Sequence, residues 1–111
     1  MSSSIPNTSF ILEGKANAPV LVLANSLAAA PEMWDAQAAV FSEHFRVLRY
    51  SYRGHGKTPA LGSQASIEDL RQDLLALLDQ LQIQKFSFLG LSLGGMLGMY
   101  LAAKNPERVN A

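Results

Sequence analysis

The sequence contains no cysteine, and this absence excludes a disulfide scaffold, a thiolate metal site and cysteine catalysis. It also lacks a charge excess of either sign, because nine Lys and Arg residues balance nine Asp and Glu residues. No strong field therefore favours nucleic acid or an anionic membrane surface. The first fifteen residues contain neither a basic segment nor a long apolar stretch, so we expect no secretory signal and a cytoplasmic protein.

Strand patterns and helix patterns alternate along the sequence, as is typical of a globular α/β domain. The chain has 111 residues, of which 49% are hydrophobic and 16% charged, values that suit one domain with a modest core. Continuous apolar runs predict strands, and apolar residues at helical spacing predict helices. The predicted strands are 9–14, 20–24, 45–52 and 85–91, and the predicted helices are 31–44, 66–82 and 93–105. This order implies right-handed crossovers and a mostly parallel sheet with helices on both faces.

A serine flanked by glycines lies between the last predicted strand and the last predicted helix. The stretch Gly90-Leu91-Ser92-Leu93-Gly94 fits the pattern G-x-S-x-G. A serine at such a sharp turn has a strained backbone, and its neighbours two positions away must lack Cβ so that the helix can pack back. The turn lifts the hydroxyl above the carboxyl edge of the sheet and leaves the Leu93 amide at a helix N-terminus, facing a developing oxyanion. The pattern therefore predicts Ser92 as a nucleophile.

Two non-catalytic interpretations of this region stay open. The uncharged run 86–103 carries a stripe of small residues, as membrane helices do, but it barely reaches spanning length and has no charge asymmetry around it. Small residues such as Gly95 and Gly98 would equally let a soluble helix lie close to a sheet. The other alternative is a structural serine in a glycine-rich turn.

Three stretches follow the order and spacing of the N-terminal half of the α/β-hydrolase fold, which the chain therefore resembles. They are VLVLANSL with MWDAQ, then FRVLRYSYRGHGKT, then FLGLSLGG, and the resemblance extends from Ala18 to Val109. Within that superfamily, Asn25-Ser26-Leu27 and Met33-Trp34-Asp35 are most similar to the 3-oxoadipate enol-lactonases.

The resemblance implies roles for three residues. Ser92 would be the nucleophile, and the backbone N–H groups of Leu27 and Leu93 would form the oxyanion hole. The resemblance also implies that the substrate is a small ester or lactone and that the reaction needs neither a metal nor an organic cofactor. Ser51 and Ala28 stand where the family commonly has aspartate and glycine, and these departures bear on the exact substrate.

The sequence after Ser92 has neither histidine nor aspartate, and Glu107 is its only acid. In this fold the catalytic acid and the histidine follow the nucleophile. His44 is expected at the surface near a helix end. His55 would reach the same sheet edge as Ser92, but in the family this position supports a loop. We therefore expect residues 1–111 to be the N-terminal part of a single domain whose cap and C-terminal part are absent, and the isolated chain to be inactive.

The functional prediction is a serine hydrolase of the enol-lactonase type that works through an acyl-enzyme at Ser92. A general carboxylesterase or a cofactor-free perhydrolase shares the same motifs. An alternative of another class is a non-catalytic hydrolase module that acts in assembly. The predicted strand 85–91 would present a bare apolar edge, so we expect a C-terminal hydrolase half or a second copy to cover it.

Overall fold

The computed structural model describes residues 9–25, 31–52 and 66–111. Within these ranges the strands are β1 (Phe10–Gly14), β2 (Val20–Ala24), β3 (Arg46–Tyr50) and β4 (Ser87–Gly90). The helices are α1 (Asp35–Phe41), α2 (Ile67–Gln80) and α3 (Leu93–Lys104), and a 3₁₀ turn (Pro31–Trp34) precedes α1. The predicted alternation of strands and helices is confirmed. The first helix is shorter than predicted, because the amides of Glu43 and His44 already bond three residues back as the chain turns into β3.

The strands form one mostly parallel sheet in the order β1-β3-β2-β4. Both β3 and β4 run parallel to β2, while β1 pairs antiparallel with β3 at one edge. Four of the five residues of β2 are buried. Such continuous burial is typical of a strand that is covered on both faces, as the apolar run 20–24 predicted.

Helices cover both faces of this sheet, as predicted. Because successive side chains of a strand point to opposite faces, β2 contributes to two separate core clusters. Leu21 and Leu23 pack with Trp34 and Ala38 beside α1. On the other face, Val22 packs against the leucines of α2 and α3, which are Leu70, Leu74, Leu77, Leu78, Leu97 and Leu101. Each fully buried leucine contributes about 1.5–3 kcal/mol, so both faces stabilise the sheet.

The start of α2 is tied both to its own cap and to α3. The Asp69 amide donates to Ser66 Oγ (3.1 Å), and the Ser66 amide donates to Asp69 Oδ2 (3.0 Å), which is a capping box. The neighbouring Glu68 carboxylate accepts hydrogen bonds from Arg71 and from the Tyr100 hydroxyl of α3. Hydrogen bonds from Arg71 and Tyr100 lower the pKa of Glu68 to about 2. The carboxylate is therefore charged at neutral pH and links the two helices.

The outer edge of β4 is partly covered by this chain itself, and the prediction of a bare apolar edge along 85–91 was to that extent wrong. Residues 108–111 run beside β4, where the Phe86 amide donates to the Arg108 carbonyl (2.9 Å) and the Phe88 amide donates to the Ala111 carbonyl (2.8 Å). The reason is a turn after α3, which brings the chain back along the strand. The Arg108 guanidinium fixes this return by donating to backbone carbonyls of the segment that precedes β4.

The uncharged run 86–103 folds as a strand, a turn and a twelve-residue helix rather than as one helix. In the part of the chain that the structure describes, no helix has the length and apolarity needed to cross a bilayer. The membrane-helix interpretation of this run is therefore wrong.

Candidate active site

Ser92 lies between β4 and α3, at the carboxyl edge of the parallel strands. Its backbone has φ 58° and ψ −114°, a positive φ that residues with a Cβ rarely adopt. Ser92 occupies the N-cap position of α3, yet its hydroxyl accepts no capping hydrogen bond from that helix. Serine at this position usually does cap the helix. Ser92 is an exposed residue in the described part of the chain.

Glycine is required on both sides of this serine, as the sequence predicted. A Cβ on Gly90 would lie 2.6 Å from the Gly95 amide nitrogen, and a Cβ on Gly94 would lie 2.7 Å from the carbonyl carbon of Ala24. A Cβ on Gly98 would lie 2.7 Å from the Phe88 ring. The expected role of Gly95 was wrong, because a Cβ there would make only ordinary contacts with Gly90, at 3.5 Å from its carbonyl oxygen and 3.9 Å from its carbonyl carbon. We call residues 90–94 the Ser92 turn.

One backbone hydrogen bond holds the Ser92 turn against the end of β2, and two others close the turn and the start of α3. The Leu91 amide donates to Ala24 O (3.2 Å), and the Gly94 amide donates to Leu91 O (3.0 Å). The first turn of α3 closes with the Met96 amide donating to Ser92 O (3.0 Å). Leu93 is the first residue of α3. The first amides of a helix have no hydrogen-bond partner within the helix. Leu93 therefore presents its N–H at the helix N-terminus beside Ser92.

Asn25, the residue that follows β2, is fully buried within a hydrogen-bonded cluster. Its Nδ2 donates to the Tyr50 carbonyl (3.2 Å), and its Oδ1 accepts from Trp34 Nε1 (3.0 Å). Its backbone carbonyl accepts from the Tyr52 hydroxyl (2.6 Å). Burial raises the pKa of Tyr52 well above its ordinary value, so this hydroxyl stays protonated and donates. We call Asn25, Trp34 and Tyr52 the Asn25 cluster.

A buried guanidinium holds the beginning of the 3₁₀ turn. Arg49 is 7% exposed and donates from Nη1 to Pro31 O (3.2 Å) and to Asp35 Oδ1 (2.6 Å). Its Nε donates to Glu13 Oε2 (2.8 Å). Burial alone would lower the pKa of Arg49, but the hydrogen bonds to Asp35 and Glu13 raise it above its ordinary value. The group is therefore charged, as a buried cation is when it is paired.

The structure describes some of the predicted site residues and not others. Ser92 and Leu93 lie side by side in the Ser92 turn, whereas Leu27 and His55 lie outside the described residues. His44 is exposed in the turn before β3, which is the amino end of that strand. Because Ser92 follows the carboxyl end of a parallel strand, His44 and Ser92 lie at opposite edges of the sheet.

Tyr52 and Arg49 are the residues that sequence reasoning missed. Both lie within the predicted strand 45–52, and nothing in the pattern of that strand sets them apart. Their partners lie between 14 and 36 positions away in the chain, so no local pattern indicates them. A charged residue inside the run Val47–Tyr52 was the only available signal. Among the described residues, no group of three acidic or histidine side chains gathers as metal ligands.

Comparison with known proteins agrees with this geometry. The sequence profile of the α/β hydrolase fold matches residues 19–111. The chain is 41% identical over 97 residues to 3-oxoadipate enol-lactonase 2 of Acinetobacter baylyi, a match that covers 87% of this chain and 36% of that protein. It is 38% identical over 97 residues to a protein of Pseudomonas syringae pv. syringae provisionally named a carbamate hydrolase, with 86% and 38% covered.

This chain is also similar to a solved structure. The crystal structure of the enol-lactonase from Burkholderia xenovorans LB400 matches with a TM-score of 0.90 and 43% identity, over 94% of this chain and 42% of that chain. The chain thus spans about two fifths of the length of these relatives. Since the family profile covers most of the sequence and the observed sheet agrees with it, the chain belongs to the α/β-hydrolase fold family.

Proposed function

We propose that the protein containing this chain hydrolyses a carboxylic ester or lactone through an acyl-enzyme on Ser92. The observation that carries the proposal is the Ser92 turn. Its serine is exposed, has a positive φ and makes no side-chain capping bond to α3, and a Cβ on either flanking glycine would collide with backbone. Strain of this kind persists where surrounding structure enforces it, and it concentrates at catalytic positions.

The proposed reaction begins when Ser92 Oγ attacks the substrate carbonyl carbon. The carbonyl oxygen gains negative charge, which the N–H groups of Leu93 and Leu27 would stabilise. Collapse of this intermediate breaks the acyl C–O bond and leaves an ester on Ser92. With a lactone, the leaving oxygen stays attached to the acyl group, because the ring only opens. Water then hydrolyses the acyl-enzyme, which releases the acid and restores the serine.

A base must remove the proton from Ser92 Oγ, and the sequence after Ser92 offers neither histidine nor aspartate. We propose that residues 1–111 form the N-terminal part of one domain and that a C-terminal half supplies the base, the acid and a cap. The apolar side chains that remain exposed near the Ser92 turn suit such cover. They are Leu89 (39% exposed), Leu91 (51%), Met96 (58%) and Met99 (70%). A second copy of the chain is the other candidate cover.

An enol-lactone is the substrate that we favour. Two proteins similar to this chain, at 41% and 43% identity, carry the name enol-lactonase. The relative provisionally named a carbamate hydrolase makes a carbamate the second compound to assay. A general carboxylesterase would instead favour a simple ester such as p-nitrophenyl acetate, and a perhydrolase would require peroxide as the nucleophile that attacks the acyl-enzyme.

The proposed function is tested by comparing the native polypeptide that contains this sequence with the isolated 111-residue chain. We expect the native polypeptide to hydrolyse an enol-lactone and to react with a fluorophosphonate. We expect the isolated chain to do neither above background, because a serine without a base is a poor nucleophile at neutral pH. The measurements are initial rates and fluorescent labelling on a gel.

Two results would contradict this account. Ester turnover by the isolated chain that disappears in Ser92→Ala would show that the base lies within these residues. A native polypeptide that is neither active nor labelled would instead support the non-catalytic module that acts in assembly.

A further inference from the structure

The strained backbone of Ser92 is held in part by one peptide group of the neighbouring strand. A positive φ at a residue with a Cβ persists where the surrounding structure enforces it. The peptide group that joins Ala24 to Asn25, at the end of β2, makes two contacts with the Ser92 turn. Its carbonyl accepts the Leu91 amide at 3.2 Å, and Gly94 lies so close to the same carbonyl that an added Cβ would overlap it. The turn is therefore held on both sides of Ser92 by a single carbonyl group.

The direction of that carbonyl depends on Asn25. A peptide group is planar, so the Ala24 carbonyl shares one plane with the amide nitrogen and the Cα of Asn25. A tilt of Asn25 would therefore turn the carbonyl relative to the Leu91 amide. It would also change the surface against which Gly94 packs. The position of Asn25 is thus transmitted to the Ser92 turn through the backbone.

Three hydrogen bonds fix Asn25, and each comes from a different residue. The Nδ2 group donates to the Tyr50 carbonyl of β3 (3.2 Å), and Oδ1 accepts from Trp34 Nε1 of the 3₁₀ turn (3.0 Å). The carbonyl of Asn25 accepts from the Tyr52 hydroxyl (2.6 Å). Asn25 is 0% exposed, so a bond that is lost leaves a buried polar group that water does not reach. Both the side chain and the backbone of Asn25 are thereby held in one orientation.

We infer that Asn25 is a positioning residue for Ser92: the Asn25 cluster fixes the Ala24 carbonyl, and this carbonyl holds the Ser92 turn through Leu91 and Gly94. The inference rests on the proposed function, because it gives Asn25 a part in ester hydrolysis. Asn25 acts through the backbone and takes no part in the chemical step. A misplacement of a reacting group by about 1 Å can cost about 100-fold in rate, so a small shift of the turn should be measurable.

The chain offers a matched control at the other end of α3. Asn25→Ala removes the side-chain bonds to the Tyr50 carbonyl and to Trp34. Asn105 follows the last residue of α3, and its Oδ1 accepts from Arg71 at 2.9 Å. Asn105→Ala is the same chemical change and also removes a bond between distant residues. It leaves every contact of the Ala24 carbonyl in place.

A second pair of variants makes a smaller change in the same cluster. Tyr50 and Tyr52 are each 2% exposed, and their rings are in edge contact at 5.6 Å. Replacing either tyrosine by phenylalanine removes one buried oxygen and keeps the ring. Tyr52→Phe removes the bond to the Asn25 carbonyl, whereas the Tyr50 hydroxyl has no hydrogen-bond partner among the described residues. This pair decides the matter if Asn25→Ala does not fold.

The experiment uses the native polypeptide with p-nitrophenyl acetate as the probe. Asn25→Ala is expected to lower kcat about 10- to 100-fold and to leave KM within about twofold, because the nucleophile is displaced while substrate binding is not. Tyr52→Phe should lower kcat about 3- to 10-fold in the same way. Asn105→Ala and Tyr50→Phe should leave both constants within about twofold.

Hydrogen exchange of the Leu91 amide is a readout that does not depend on activity. It is measured by mass spectrometry with fragmentation and compared with amides in the middle of α2, which report a general loss of stability. Relative to α2, the Leu91 amide should exchange about tenfold faster in Asn25→Ala and at an unchanged rate in Asn105→Ala.

The outcomes separate the inference from the proposed function. Unchanged Leu91 exchange in Asn25→Ala, or exchange that rises only in step with α2, would overturn the inference whether or not the protein is active. An unchanged kcat, or a loss confined to KM, would overturn it and leave the proposed function intact. Absence of turnover in the unchanged protein would refute the proposed function, and the part of Asn25 in hydrolysis with it.

Discussion

Ser92→Ala in the native polypeptide is expected to lower kcat for ester hydrolysis by at least about 10⁴-fold with little change in KM. Removal of a nucleophile leaves only the catalysis that comes from oxyanion donors and binding. Alanine keeps the Cβ that Ser92 already carries at its positive φ, so the fold should be unaffected. Steady-state rates with p-nitrophenyl acetate, together with urea unfolding curves, measure both quantities.

Ser87→Ala is the control for this substitution. Ser87 lies five positions earlier, inside β4, where it pairs with Leu21. The same chemical change there should leave kcat and KM within about twofold. If Ser92→Ala kept its activity, or if both variants lost activity equally, the nucleophile would have to be another residue.

Gly94→Ala is expected to lower the free energy of unfolding by about 3 kcal/mol, because overpacking of a tight contact typically costs 1–3 kcal/mol and here the neighbour is backbone. The added methyl would lie 2.7 Å from the Ala24 carbonyl carbon and 2.9 Å from Ala24 Cβ, so α3 would have to move away from β2. Because that movement displaces Ser92, activity should fall as well. Urea unfolding and ester hydrolysis report the two effects.

Gly95→Ala is the matched control, one residue further along the same helix. A Cβ there meets its nearest neighbour, Gly90 O, at 3.5 Å, which is an ordinary contact. Alanine also favours a helix over glycine by about 1 kcal/mol, so this variant should be equally stable or more stable. Equal destabilisation by the two substitutions would contradict the close contact between α3 and β2.

Elements with local signals could be predicted from the sequence. The strand 20–24 was placed with its observed bounds, because Pro19 and the polar Asn25 delimit a continuous apolar run. The helix predicted over 66–82 is observed as Ile67–Gln80. Its signals are local, because neighbouring members of the apolar stripe lie a few positions apart and the capping box joins Ser66 to Asp69. The Ser92 turn was predicted for the same reason.

Contacts between distant residues could not be predicted in this way. The bond between Tyr52 and Asn25 joins residues 27 positions apart, and that between Arg49 and Glu13 joins residues 36 apart. The return of residues 108–111 along β4 also depends on a turn that no periodicity indicates. Such pairings follow from strand order and register, which the sequence pattern leaves open. The oxyanion role of Leu27 and the loop role of His55 stay predictions, since both lie outside the described residues.

Capture of the acyl-enzyme would show whether Ser92 is the nucleophile. The native polypeptide is mixed with p-nitrophenyl acetate, quenched in acid within the first turnover, digested and analysed by mass spectrometry. We expect one acetyl group on the peptide that contains residues 90–94, located on Ser92 by fragmentation and absent from Ser92→Ala. An acetyl group on any other residue that forms and decays at the rate of turnover would contradict it.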